Sequence, residues 1–333
     1  MDKKVITIYD VAEEANVSMA TISRVVNGNA NVKEETRKKV MEVIDRLNYR
    51  PNAVARGLAS KKSTTIGVII PNITDLYYAS LAKGVDDVAS MYKYNIILTS
   101  LEESVGDEEQ IINNLLSKQV DGLIYMGKQI SKKLKRVFMH SKTPLVLAGS
   151  VDKNNETASV HIDFVEAVNN VVTQLIHNSH KKIAFVGGNL ENPIDGKYRL
   201  DGYKKALKNA NINFSSDLVF EAENSVRAGE AIFDVIKNTN ATAVYVTDDL
   251  LAAGILNSAV RSGISIPEDF EIITSNDTIL CEVTNPKMSS IEEPLYDIGA
   301  VAMRLLTKMM NQEQIDENVV KLPYSIVKRE STR

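Results

Sequence analysis

Cysteine is almost absent: Cys281 is the single one in 333 residues. An internal disulfide and a cysteine-built metal cluster are both excluded, and the count suits a reducing compartment. Proline and glycine are sparse, at 8 and 16 residues, so neither a collagen-like repeat nor a linker-dominated chain fits. No run approaches the ~18 consecutive apolar residues of a membrane span. The opening Met1-Asp-Lys-Lys-Val-Ile-Thr-Ile-Tyr-Asp10 is charged and has no long apolar core, so it does not read as a secretory signal. A cytoplasmic protein is the expectation. Catalytic signatures are missing too: Gly-x4-Gly-Lys-Ser/Thr, Gly-x-Gly-x-x-Gly behind a strand and Gly-x-Ser-x-Gly do not occur. His177 and His180 stand three apart without a third ligand and read as solvated helix-end residues. No cofactor, metal or catalytic residue is expected.

What is present is ordinary globular composition, 44% hydrophobic and 25% charged, in a chain long enough for two or three domains. The net charge of −4 hides an asymmetry: residues 1–62 carry +4 and the remainder −8. A basic head on an acidic body suggests a nucleic-acid-binding module attached to a domain that does not bind nucleic acid.

The head reads as three helices. Thr7 and Asp10 make a capping-box-like start, and Ile8, Val11, Ala12 and Ala15 follow at helical spacing as far as Asn16. Ser18 offers a second N-cap for a helix from Ala20 through Asn27, with Ile22, Val25 and Val26 inward; Asn27-Gly28 is a stop signal. A third helix runs from about Lys33 to Leu47. Two short helices joined tightly and braced by a third make a helix-turn-helix, whose second helix enters the major groove. Met19, Ala20 and Arg24 are the candidate base readers: arginine reads guanine bidentately, and the other two offer apolar contacts. Ser18, Thr21, Ser23 and Asn27 suit phosphate contacts. Thr7 and Tyr9 complete the candidate set in the head. A generic three-helix bundle is the alternative.

Residues 49–62 follow. Pro51 and Asn52 can open a helix, but Gly57 weakens it and only about nine residues are free. So short a helix is marginal alone in water and would order only against a partner. Arg50, Arg56, Lys61 and Lys62 would answer phosphates, and Leu58 is an apolar side chain suited to a minor-groove wedge. A solvated linker with Leu58 packed on the body is the competing reading. Thr7-Ile-Tyr-Asp-Val-Ala-Glu-Glu-Ala-Asn-Val-Ser18, Thr21-Ile-Ser-Arg-Val-Val-Asn27 and Asn48-Tyr-Arg-Pro-Asn-Ala-Val-Ala-Arg-Gly-Leu-Ala59 resemble the head and hinge of the lactose/galactose-repressor family. The resemblance extends over the whole chain. It implies a dimer on a pseudo-palindromic operator, with hinge helices in the minor groove and Leu58 inserted. Asn52 and Ala55 join the DNA-binding set by the same resemblance.

Beyond residue 64, strand-like runs alternate with amphipathic helices. Thr65–Ile70, Asn95–Leu98, Gly122–Met126 and Leu145–Leu147 form one series; Lys182–Val186, Ala243–Val246 and Phe270–Ile273 form a second. Alternating βα units imply parallel sheets covered on both faces, here two doubly wound halves with a cleft between them. Ligands bind beyond the carboxyl ends of such strands. There stand Asn72, Thr74 and Asp75, then Asp163, Arg199, Asp248 and Asn276. Ordinary N-capping explains any single one of them. The resemblance implies periplasmic-binding-protein-type halves and places Asn72, Asp75, Asp163, Arg199, Asp248 and Asn276 at the sugar or purine pocket. One departure stands out: the family's Gly-aromatic-Asp run is replaced by Thr274-Ser275-Asn276. The expected divisions are 1–50 (head), 51–63 (hinge and linker), 64–163 plus 293–321 (N-terminal half) and 164–292 plus 322–333 (C-terminal half).

Residues 294–310 read as one helix. Ile298, Ala302, Leu305 and Met309 form the buried stripe; Asp297, Val301, Arg304 and Lys308 form another, offset by roughly 100°. Two cations one turn apart beside a valine make a docking face for a phosphate flanked by apolar surface. A solvated charged face is the plain alternative. This helix, with Met91–Leu98 and Arg56–Lys62, resembles a Gram-positive branch of the family whose corepressor is the phosphocarrier protein HPr phosphorylated on serine. The implied docking set is Asp87, Asp297, Val301, Arg304 and Lys308, and small glycolytic phosphates are implied as secondary enhancers in the cleft. Three other readings stay open: an enzyme on a doubly wound sheet, a transport solute-binding protein, and a repressor of the same family released by a sugar or sugar-phosphate inducer.

Overall fold

A computed structural model describes residues 6–26, 28, 31–50, 62–101, 108–127, 130, 132–154 and 156–333. The chain divides into two units, Met1–Ser63 and Thr64–Arg333.

In the first unit, helices α1 (Ile8–Ala15), α2 (Met19–Val26) and α3 (Glu34–Leu47) form as the hydrophobic spacing predicts. Thr7 donates its backbone N–H and its hydroxyl to the Asp10 carboxylate, at 2.8 and 2.7 Å, and so fixes the start of α1. Asn16 and Asn48 end α1 and α3 in the left-handed conformation, φ 49° and 48°, where asparagine is tolerated better than most residues. α2 starts one residue earlier than the sequence suggested, because Ser18 Oγ accepts from the Thr21 N–H at 3.2 Å. Val11, Ala12, Ala15, Ile22, Val25, Val40, Val43 and Ile44 close a small core. Val26, expected inward, is only half-buried. An ion pair from Arg46 to Glu14 at 2.8 Å braces α3 on α1.

In the second unit, the strands are β1 (Thr65–Ile70), β2 (Asn95–Ser100), β3 (Gly122–Tyr125), β4 (Leu145–Ala148), β5 (Ala158–His161), β6 (Ile183–Gly187), β7 (Val219–Glu221), β8 (Ala243–Val246), β9 (Glu271–Ser275), β10 (Ser289–Glu292), β11 (Val319–Lys321) and β12 (Ser325–Val327). The first sheet has the order β11-β5-β4-β3-β1-β2 and the second β12-β10-β9-β8-β6-β7. Every described pairing is parallel except β10 with β12. Ile/Val-rich strands such as β1, where Ile66 faces Ile96 across the ladder and Ile66 to Ile70 are buried, are what a sheet buried on both faces requires. β9 runs on through Thr274 and Ser275, both fully buried, so these two lie within the strand and not in the loop after it.

Helices cover the sheets: α4 (Leu76–Met91), α5 (Glu108–Leu116), α6 (Lys132–Ser141), α7 (Phe164–His177), α8 (Leu200–Asn209), α9 (Val226–Ile236), α10 (Asp249–Arg261), α11 (Leu280–Val283) and α12 (Leu295–Met310). A π-helical turn, Ile194–Arg199, leads into α8. On α4, Leu81, Val85 and Val88 are buried at helical spacing, while Tyr92 lies past the helix end and is exposed. α4 and α12 meet through two glycines: a Cβ on Gly84 would lie 2.0 Å from the Tyr296 carbonyl, and one on Gly299 2.0 Å from that of Leu81. The backbones therefore touch, and the two helices act as one plate.

Three segments pass between the halves: β5 into α7, β10 into α12, and β11 into β12.

Candidate functional site

Three surfaces gather the residues singled out in the sequence. The first is the outer face of α2. Ser18, Met19, Ala20, Ser23 and Arg24 are exposed and Thr21 is half-buried, while Ile22 and Val25 point into the core. Helical periodicity alone produces this division, since residues four apart share a face. Thr21 Oγ1 pairs with Ser18 Oγ at 2.9 Å. Arg24 is exposed and forms no ion pair with any described residue. Thr7, Tyr9 and Arg50 are exposed too, Tyr9 at 67%. Asn27, Asn52, Ala55, Arg56, Leu58 and Lys61 lie outside the described residues.

The second is the face shared by α4 and α12. Asp297, Arg304 and Lys308 are exposed and Val301 is half-buried, while Ile298, Ala302 and Leu305 face the core; Met309 is half-buried. Arg304 and Lys308 have no ion-pair partner among the described residues. Asp87 differs: it is bound by Lys83 and accepts from the Tyr296 hydroxyl at 3.2 Å. Lys83 first, with help from Tyr296, holds its carboxyl below the usual range. Tyr296, 46% exposed, links the two helices across this face and was not singled out in the sequence.

The third is a cavity of about 50 Å³ at the carboxyl ends of the strands, between the halves. Asp75, Tyr77, Tyr78 and Gly149 line it from one side, and Asp195, Arg199, Thr247, Asp248 and Asn276 from the other. Four of the six expected cleft residues thus meet there. Asn72 and Asp163 are not among the lining residues. Asn72 accepts the Thr74 N–H and hydroxyl, both at 2.8 Å, in a local turn. Asp163 caps α7 through the Glu166 N–H at 3.1 Å and pairs with Lys321 at 2.8 Å. Asp75 and Asp248 also cap helices, at Tyr77 N (2.9 Å) and Leu250 N (3.0 Å), while lining the cavity.

Arg199 is the centre of this site and is 6% exposed. Its Nη1 donates to Asp195 Oδ1 at 3.0 Å and to the Thr247 carbonyl at 2.8 Å; its Nη2 donates to Glu293 Oε1 at 2.7 Å, with Asn276 Oδ1 at the 3.5 Å limit. Burial works against the guanidinium charge, and Tyr245, Asp195 and Glu293 more than restore it. Burial pushes the Glu293 carboxyl up, opposed by Arg199. Sequence reasoning missed both carboxylates. Asp195 carries a signal, the i,i+4 spacing to Arg199. Glu293 carries none, being 94 residues away.

Behind the cavity, Asp249 accepts the Thr278 N–H at 2.7 Å and the Thr274 hydroxyl at 3.0 Å. Burial pushes its carboxyl up to about 7 despite these bonds. His180 corrects an expectation: it is buried, not solvated, with Nε2 3.1 Å from Glu271 and Nδ1 2.8 Å from Thr242 Oγ1. Among the described residues no group of three His, Cys, Asp or Glu could hold a metal ion, and no helix is long and apolar enough to cross a membrane.

Comparison with known proteins identifies the family. Residues 7–52 match the bacterial regulatory proteins of the lacI family, and residues 172–332 a periplasmic binding protein-like domain. The chain is 54% identical over 328 residues to catabolite control protein A of Streptococcus mutans, covering 98% of each chain. The crystal structure of the transcription regulator CcpA of Lactococcus lactis superposes with a TM-score of 0.77 at 42% identity, covering 81% of this chain and 99% of that one. The lac repressor dimer bound to operator and an anti-inducer superposes with a TM-score of 0.90 at 27% identity over 99% of both chains. These relatives are transcription regulators and not enzymes. With its three-helix head, paired βα halves and near-complete alignment, the chain belongs to the lacI family of DNA-binding transcription regulators and, within it, to the catabolite control protein A homologues.

Proposed function

We propose that this regulator acts in carbon catabolite repression and activation as a homodimer on pseudo-palindromic operators, with serine-phosphorylated HPr as its corepressor. The observation that carries the corepressor is the Arg304–Lys308 pair: two exposed cations one helical turn apart, with no carboxylate partner among the described residues, beside half-buried Val301. A phosphoserine brings nearly two negative charges and three acceptor oxygens, and a pair of uncommitted cations next to an apolar side chain fits it. Asp297 and the Asp87–Lys83–Tyr296 group border the face. Two α2 helices, one per protomer, would read the half-sites; the lac repressor, with which the chain superposes, is a dimer bound to operator.

The proposed coupling runs through the segment at residues 51–61. Ordering it on DNA costs roughly 2–5 kcal/mol as coupled folding. A corepressor that sets the two halves in the DNA-binding orientation lowers that cost and raises operator affinity. The change expected is a rigid-body rotation of the halves. A test is titration of labelled operator with the full chain, with and without serine-phosphorylated HPr, alongside a panel of sugars and sugar phosphates. Tightening by the phosphoprotein alone supports the proposal. Release by a sugar, acting at the polar cavity around Arg199, would replace it with the inducer reading; further tightening by a sugar phosphate would add an enhancer to it.

A further inference from the structure

Both Nη groups of Arg199 are already engaged. Three of its bonds are 3.0 Å or shorter, to Asp195, Thr247 and Glu293, and all lie within the chain. We propose that Glu293 is an internal ligand of Arg199, occupying the guanidinium edge that a carboxylate-bearing effector would need, so that the chain itself closes its cleft to small carboxylates. Four observations support this. Glu293 stands on the segment from β10 into α12, brought to Arg199 from 94 residues away. It is 3% exposed, and the pair is desolvated on both sides. Its second oxygen, Oε2, is buried without a hydrogen-bond partner of ordinary geometry, with the Tyr77 hydroxyl as a polar neighbour, so the 2.7 Å contact with Arg199 is the strongest one holding the side chain there. Finally, the cavity beside the pair offers only about 50 Å³ and is lined by Asp75, Asp195 and Asp248, which repel a second anion.

Removing Glu293 leaves Arg199 with Asp195 as its remaining carboxylate partner and frees the Nη2 donor that Glu293 held. Glu293→Ala should therefore leave Arg199 with free donors facing a carboxylate-sized hollow. The test is thermal unfolding of the full chain against increasing sodium acetate, with sodium chloride at equal ionic strength as the control. The parent should show no acetate-specific change in Tm. Glu293→Ala should melt several degrees lower and recover with the logarithmic concentration dependence of a ligand that binds the folded state. Adding Arg199→Met in that background should abolish the acetate response. If Glu293→Ala does not fold, Glu293→Thr fills part of the side-chain volume and still frees the Nη2 donor, and a weaker acetate-specific rise is expected. An equal acetate response in the parent overturns the proposal. So does a foldable variant indifferent to acetate, or a response that survives loss of Arg199.

Discussion

Asp249 sits at the first position of α10 with its carboxylate turned inward onto Thr274 and Thr278. Its carboxyl is held up at about 7 in the folded chain, against about 3.9 when unfolded. Between those values the folded state keeps a proton that the unfolded state has lost, so stability falls as pH rises through this window and the loss is complete above it. Asp249→Asn, which can still accept from Thr278 N–H and donate to the Thr274 hydroxyl, removes that dependence. Urea unfolding at pH 5 and pH 8 should show the variant gaining on the parent by an amount on the order of a few kcal/mol at the higher pH. Arg304→Glu belongs to the same scale: it should leave basal operator binding intact and abolish the effect of serine-phosphorylated HPr, measured by fluorescence titration. Single residues were legible where chemistry is local. Arg24 and Arg304 follow from helical phase, and Asp75 and Asp248 from their places after strands. Glu293 was illegible because its partner is distant in sequence, and His180 because nothing beside it announces Glu271 and Arg333.

At the scale of elements, the α4–α12 contact makes a sharp demand. Alanine at Gly84 or Gly299 would drive a methyl against a backbone carbonyl, which no side-chain rotation relieves. Either substitution should cost at least the roughly 1–3 kcal/mol of overpacking, read as a lower midpoint in denaturant, and should weaken HPr-dependent tightening of operator binding by displacing Tyr296 from Asp87. For residues 51–61 the expectation rests on sequence: Leu58→Ala should weaken operator binding by a few kcal/mol, about the scale of an unstacked base step, in the same titration. The long elements were legible, since sixteen-residue helices such as α4 and α12 repeat their apolar spacing over several turns. The missed strands β7, β11 and β12 have three residues each, and β10 has four. No period can declare itself over so few positions, and their neighbours in the sheets, not their composition, make them strands.

For the whole molecule, the charge asymmetry between head and body predicts how binding responds to salt. With a head of +4 and a body of −8, operator affinity should fall steeply with sodium chloride. The logarithmic slope is roughly −0.9 for each phosphate neutralised, measurable by anisotropy at several salt concentrations. Base reading gives a second measure of the head: Arg24→Ala should both weaken binding and relax preference at one base pair, by roughly 1–3 kcal/mol. The architecture of two βα halves was legible from alternation alone; the return of residues 293–321 and 322–333 to the two halves was expected from the family resemblance, while the strands at 319–321 and 325–327 were not read from their own residues. The three threads joining the halves have a mechanical corollary. A body tethered at a single point can swing in any direction, and one tethered at two can still flap about the line between them. Three short tethers forbid sliding and parting, and leave a small twist as the cheap motion. A twist of one half against the other is therefore the motion that a bound partner could bias, whereas a simple pull would be resisted by covalent chain.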